Sequence, residues 1–246
     1  MNSQKQRGFT IIELMLFLGI TGALFAALMI GVNVNINQQH YRESVVSYKT
    51  LLEGQYSEVI NPRSYRKEND NWTCSVVNGI ESVSDPQTLG TSDCVLLGRY
   101  VQVEDGGRQI ETGDVVGVEP AGSSTTVGDL AALTNYAPRR SQVNVSRHDV
   151  EWQSTLRTYD TGATTGSFLI LRAPTSGLLR VFGSSSALPA NLSDMITDAA
   201  AKSRVEMCVV GDGNVGLPTQ SVGVNAAIAG PNGVFVKTID KGDSRC

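Results

Sequence analysis

The sequence predicts an α+β fold, in which one long amino-terminal α-helix, transmembrane in its first half and amphipathic in its second, packs on an antiparallel β-sheet head. Three observations carry this expectation. After Glu13 no Asp, Glu, Lys or Arg occurs until Arg42, and residues 14–32 are mostly large apolar side chains. Tyr41, Val45, Tyr48, Leu52, Tyr56 and Val59 then recur at steps of three and four, the period of one helix face. Past Pro62 the pattern changes to short β-branched runs divided by Gly, Ser, Asp and Pro clusters, which read as strands and turns. One helix followed by a block of strands argues for α+β.

The elements follow in chain order. Lys5 and Arg7 precede the apolar run. The run's 19 residues, 14–32, reach close to the full depth of a roughly 30 Å hydrocarbon core at about 1.5 Å rise per residue. Basic residues before the run and a net acidic remainder place the amino terminus in the cytoplasm and the bulk outside. Gly31-Val32-Asn33-Val34-Asn35 offers no small-residue cleavage site after the run, so the anchor is expected to be retained. Glu13 is the oddity, because a carboxylate at full membrane depth costs about 2.5 to 3.5 kcal/mol, less near the interface, unless it is paired. From residue 9 to residue 60 one helix would be about 78 Å long. Residues 32–37 alternate Val or Ile with Asn, a weak point in helix propensity, read as a polar exit from the bilayer in preference to a segment that unwinds on assembly. Asn61-Pro62 ends the helix.

Strands are expected at 73–77, 94–103, 114–118, 150–159, 167–172, 178–182, 205–210 and 233–239. Loops are expected at 104–107, 122–126, 160–166 and 173–177, the last as a hairpin. Residues 191–203, with Asn191 or Ser193 as cap and Met195, Ile196, Ala199 and Ala200 on one side, are expected to form a second helix.

Composition narrows the function classes. Setting Lys5 and Arg7 aside leaves 18 basic against 24 acidic residues and moves the formal net charge from -4 to -6, which gives no electrostatic reason for nucleic-acid binding. His148-Asp149 lies near Ser141, Ser146 and Glu151, but closeness in sequence says nothing about triad geometry, and no G-x-S-x-G elbow is present. Asp212-Gly213-Asn214 lacks the later acidic ligand of a calcium loop and reads as a turn. No C-x-x-C occurs and His40 and His148 are isolated, which speaks against zinc. Gly19, Gly22 and Gly31 form no G-x-x-x-G pair. The sequons at Asn71, Asn144 and Asn191 are close to chance frequency. The expectation is a protein that is not an enzyme, with no cofactor and no metal. Four cysteines in an exported head suggest two disulfides, for which three pairings are open.

The opening Lys5-Gln6-Arg7-Gly8-Phe9-Thr10-Ile11-Ile12-Glu13-Leu14 and the apolar run behind it resemble the processing and assembly signal of the type IV pilin family, including the pseudopilins of type II secretion. The resemblance implies cleavage by a prepilin peptidase between Gly8 and Phe9, N-methylation of Phe9, and Glu13 as the fifth residue of the mature chain. It implies a lollipop plan with residues 1–8 as leader, 9–32 as transmembrane and filament-core helix, 33–61 as its amphipathic continuation, and 62–246 as the extracytoplasmic β-rich head. Glu13 would pair with the amine freed on Phe9 of a neighbouring subunit, because either charge left alone in low dielectric is penalised. The partners implied are other pilin or pseudopilin subunits, the prepilin peptidase, an inner-membrane assembly platform, and membrane lipid before assembly. The location implied is the cytoplasmic membrane, then a pilus or pseudopilus. Within the family the head looks loosely similar to those of minor pilins and H-type pseudopilins, so a minor subunit is expected, with a major structural pilin as alternative. A signal-anchored extracytoplasmic binding module is the alternative of another class. For the cysteines, Cys74 with Cys94 and Cys208 with Cys246 are preferred among the three pairings because each closes a local loop. The second also resembles the carboxy-terminal staple of many pilins.

Overall fold

A computed structural model of the chain describes residues 10–62, 73–77, 80–84, 94–121, 127–211, 218–240, 243, 245 and 246. Helix α1, Ile11–Ile60, runs unbroken for 50 residues, straight through the alternating Val/Ile-Asn segment. It stops at Asn61, whose N–H donates to Ser57 O at 2.9 Å, because Pro62 has no N–H to continue the ladder. The stripe foreseen from the period is the buried one: Tyr41, Val45, Tyr48, Leu52, Tyr56 and Val59 are all 5% exposed or less. Lys49 and Glu53, off the stripe, pair at 2.9 Å one turn apart, the spacing at which helix side chains meet.

Among the described residues, three antiparallel sheets follow. Strands β1, Thr73–Val77, and β2, Ile80–Ser84, form a two-stranded ribbon. Strands β3, Cys94–Glu104, β4, Gln109–Val118, β5, Arg139–Asp149, β7, Gly166–Arg172, and β8, Leu179–Ser184, form a sheet in the order β5-β4-β3-β7-β8. Strands β6, Thr155–Thr158, β9, Arg204–Val210, β10, Gln220–Asn225, and β11, Val234–Thr238, form a sheet in the order β11-β10-β9-β6. A short helix α2, Asp129–Asn135, lies between β4 and β5.

Alternation along the strands builds two cores from one sheet. Val101, Val103, Phe168 and Ile170 face α1, where they join Leu156, Met207, Val209, Val222 and Val224 of the four-stranded sheet around the tyrosine stripe. Tyr100, Leu169, Leu171 and Phe182 face the other way and are covered by Leu133 of α2 and by Leu188, Leu192, Met195 and Ile196. The sheets are tuned by aromatic side chains laid across glycines. Tyr100 pairs with Gly113 across β3 and β4, and Phe235 with Gly223 across β11 and β10. A Cβ at Gly113 would stand 2.6 Å from the Tyr100 ring, so the ring occupies the space that a side chain there would fill.

The structure corrects the sequence reading in several places. Residues 191–203 are two short 3-10 turns, Leu192–Met195 and Ala200–Lys202, and not one helix. The Asn191 cap is spent on Ser193 N, and Met195 and Ile196 serve the second core from an irregular segment. The strand expected at 150–159 is interrupted by a 3-10 turn at Glu151–Gln153 and survives as β6. Strands β2, β5 and β10 and helix α2 were not anticipated. The loops expected at 104–107 and 173–177 are tight connections between β3 and β4 and between β7 and β8. The loop at 122–126, the Asp212-Gly213-Asn214 turn and the Asn71 sequon lie outside the described residues.

Candidate functional site

The amino-terminal half of α1 is the feature that the fold leaves unexplained as structure. Thr10, in extended conformation, caps the helix, its Oγ1 accepting from Glu13 N at 3.3 Å. Thr10-Ile11-Ile12-Glu13 thus has the spacing of a capping box, a signal that the sequence reading passed over. It gives Glu13 a second reason for its place, since a carboxylate in the first turn complements the positive end of the helix dipole.

Beyond Glu13 the helix carries bare apolar surface. Ile11 is 78% exposed, Phe17 63% and Met29 65%, and the large apolar side chains between them stand similarly open. Two of the polar side chains on this half, Thr21 and Asn35, bond back to the helix itself. Thr21 Oγ1 donates to Phe17 O at 2.8 Å, with Leu18 O also within 3.1 Å, and Asn35 Nδ2 donates to Gly31 O at 2.9 Å. In hydrocarbon, where no water can satisfy a polar group, such back-bonding removes the cost of a hydroxyl or an amide. A Cβ at Gly19, Gly22 or Gly31 would touch nothing within 4 Å, so none of the described residues of the head lies against them. This helix is long and apolar enough to cross a membrane. Gly8 and Phe9 lie outside the described residues, so the neighbourhood of Glu13 is seen from one side.

The second half of α1 is held at both ends by polar side chains. Near its start, Tyr41 Oη donates to Val209 O at 3.2 Å and accepts from Gln220 N at 2.6 Å, bridging β9 and β10. Near its end, Arg99 of β3 reaches α1 from the sheet. Its Nε donates to Gln55 Oε1 at 3.0 Å, its Nη2 pairs with Glu58 Oε2 at 3.0 Å, and its Nη1 pairs with Asp114 Oδ1 at 2.7 Å, in a site where the Arg99 side chain is 6% exposed. Between them Tyr48 and Tyr56 are buried, which raises both phenols well above their ordinary value, Tyr56 to about 12.

Two disulfides staple the head, Cys74 to Cys94 and Cys208 to Cys246. The second brings the carboxyl terminus onto β9. Beside it Tyr159 Oη donates to Asp243 Oδ2 at 2.7 Å, Asp243 pairs with Arg245, and the Arg245 guanidinium lies 4.2 Å over the Tyr159 ring. Hydrogen bonds from Arg245 and Tyr159 hold the Asp243 carboxyl well below the usual carboxylate range.

The other residues singled out in the sequence are scattered. His148 and Asp149 are exposed at the end of β5, and Asp149 accepts from Gln109. Ser141 lies toward the opposite end of that strand, within the irregularity between Arg140 and Val145. His40 stacks on Trp152 with ring centroids 3.7 Å apart.

A model of the prokaryotic N-terminal methylation motif matches residues 3–29. Neither curated proteins nor solved structures give a match to the chain. The matched segment runs from the basic leader through Glu13 into the bare half of α1, and by it the chain carries the amino-terminal methylation signal of the type IV pilin and pseudopilin family.

Proposed function

We propose that this chain is a minor pilin or pseudopilin, a low-copy subunit that primes or decorates a filament, assembled through α1 after a prepilin peptidase cuts between Gly8 and Phe9. The observation that carries the reading is the division of α1 at about residue 40. The carboxy-terminal part is covered by the head on its stripe, whereas the amino-terminal part presents apolar side chains that none of the described residues of the head covers. Surface of this extent on one helix calls for a bilayer or a bundle of like helices, and the family signal at its tip supports both in succession.

In the bundle, Glu13 of one subunit pairs with the amine that cleavage frees on Phe9 of the next. The cost of an unpaired charge in low dielectric sets the axial offset between neighbours. Before cleavage Phe9 carries no charged amine, and Lys5 and Arg7 hold the leader at the cytoplasmic face. An inner-membrane platform would draw the processed subunit out of the lipid. The minor role is supported by a head of a five-stranded and a four-stranded sheet, large beside those of the simplest pilins.

Substituting Glu13→Ala tests the assembly role. Cleavage is expected to persist, read as loss of eight residues by mass spectrometry, while the subunit disappears from sheared filaments. Incorporation at the wild-type level would remove Glu13 from the mechanism. Counting this chain against the principal subunit in purified filaments tests the minor role, and a ratio near one would make it a major pilin.

A further inference from the structure

Trp152 is the most exposed aromatic side chain among the described residues of the head, at 48%. It occupies a backbone conformation that residues with a Cβ seldom adopt, with φ of 56° at Trp152 and 55° at Gln153. The turn is nevertheless held firmly against α1. Val150 N donates to Arg108 O at 2.8 Å, Ser154 N donates to Glu151 O at 3.1 Å, and Ser47 Oγ on α1 donates to Glu151 Oε1 at 3.0 Å. The indole lies flat on the His40 ring, 3° from parallel.

The height of this stack along α1 matters. Eight residues separate Val32, the last of the apolar run, from His40, about 12 Å of helix. A helical side chain covers the turn on the amino-terminal side of its own Cα, so the stacked rings lie roughly 6 to 10 Å beyond the run. The headgroup layer of a bilayer extends roughly 5 to 8 Å outside the hydrocarbon on each side. An indole, apolar in body with one N–H at its edge, partitions to that layer. Arg42, exposed two residues past His40, and Arg108, exposed beside the turn, add cationic tips suited to lipid phosphate.

We propose that the rim of the head around Trp152 and His40 rests in the phospholipid headgroup layer of the leaflet through which α1 leaves the bilayer, and that this contact orients the head before assembly. The inference depends on α1 spanning a membrane. The bare apolar half of α1 ends just below the stack, so the lipid surface continues the surface that this half already requires.

The chain contains two tryptophans, so Trp72→Phe leaves Trp152 as a single fluorophore. The full-length variant is placed in nanodiscs of phosphatidylethanolamine and phosphatidylglycerol doped with nitroxide lipids labelled either on the headgroup or near the acyl-chain end. Trp152 is expected to be quenched by the headgroup label about twofold or more over the deep label. A companion carrying Trp72→Phe, Trp152→Phe and Phe25→Trp reports on the span and is expected to prefer the deep label. Trp152 emission indifferent to both labels, with Phe25→Trp quenched by the deep one, overturns the headgroup contact and leaves the span standing. Indifference of both probes overturns the span and the contact together.

Discussion

Tyr41, Tyr48 and Tyr56 share one helix face, yet their hydroxyls fare differently. Tyr41 is bonded to both neighbouring strands, while Tyr48 Oη and Tyr56 Oη are buried with no hydrogen-bond partner among the described residues. Removing a satisfied hydroxyl strands its partner, whereas removing an unsatisfied one relieves a desolvation cost. Tyr41→Phe is therefore expected to lower stability by about 1 kcal/mol and Tyr48→Phe to leave it unchanged or raise it, read from urea melts in detergent. The buried phenols also set a pH limit. Because desolvation raises the folded pKa above the ordinary 10.0, the folded chain holds protons that the unfolded chain releases. Their contribution is intact below the unfolded value and is lost as pH rises through the folded one. Melting temperature is expected to fall between about pH 10 and pH 12, less steeply in Tyr48→Phe. Arg99 stands at the other extreme. Arg99→Met leaves Asp114 and Glu58 without their guanidinium and is expected to cost about 3 to 5 kcal/mol in the same melts.

At the scale of elements, the disulfide that returns the carboxyl terminus to β9 closes a separation of 38 residues. Replacing Cys208 and Cys246 by Ser together is expected to remove about 3 to 4 kcal/mol. Hydrogen exchange should then rise in β9 and around Asp243, and unaltered exchange there would show that the Tyr159, Asp243 and Arg245 cluster alone keeps the tail seated. How legible each element was follows from its chemistry. Helix α1 announced its buried face because six large side chains keep a 3.6 period over 19 positions, from Tyr41 to Val59. Strand β10, Gln-Ser-Val-Gly-Val-Asn, did not, because Ser221 is buried opposite Cys208 and Gly223 is covered by Phe235. Its core contacts come from Val222 and Val224 alone, set between residues that read as turn formers. Strand β5 was hidden by its position at a sheet edge, where Arg, Asn and His face solvent. The 191–203 segment misled in the opposite direction, since alanines and a good cap favour a helix locally. Docking Leu192, Met195 and Ile196 onto the sheet decided for tight turns.

At the scale of the molecule, the amino-terminal signal was legible as a motif over residues 3–29, because leader, carboxylate and apolar run are all local features. What the sequence could not reveal is how the head grips the helix. Arg99 with Gln55, Glu58 and Asp114, Tyr41 with Val209 and Gln220, and Trp152 on His40 join positions far apart in the chain, and no spacing rule connects them. That grip has a mechanical consequence. Tension applied to the stem enters the head first at the Tyr41 bridge, in the middle of a four-stranded sheet, and is shared at the far end by the Arg99 anchorage on the other sheet. The pull therefore falls between the two central strands of that sheet, away from either edge, and the cystine on β9 keeps the tail attached beside them. A subunit so built would transmit a tug along its axis into the two most interlocked parts of its architecture.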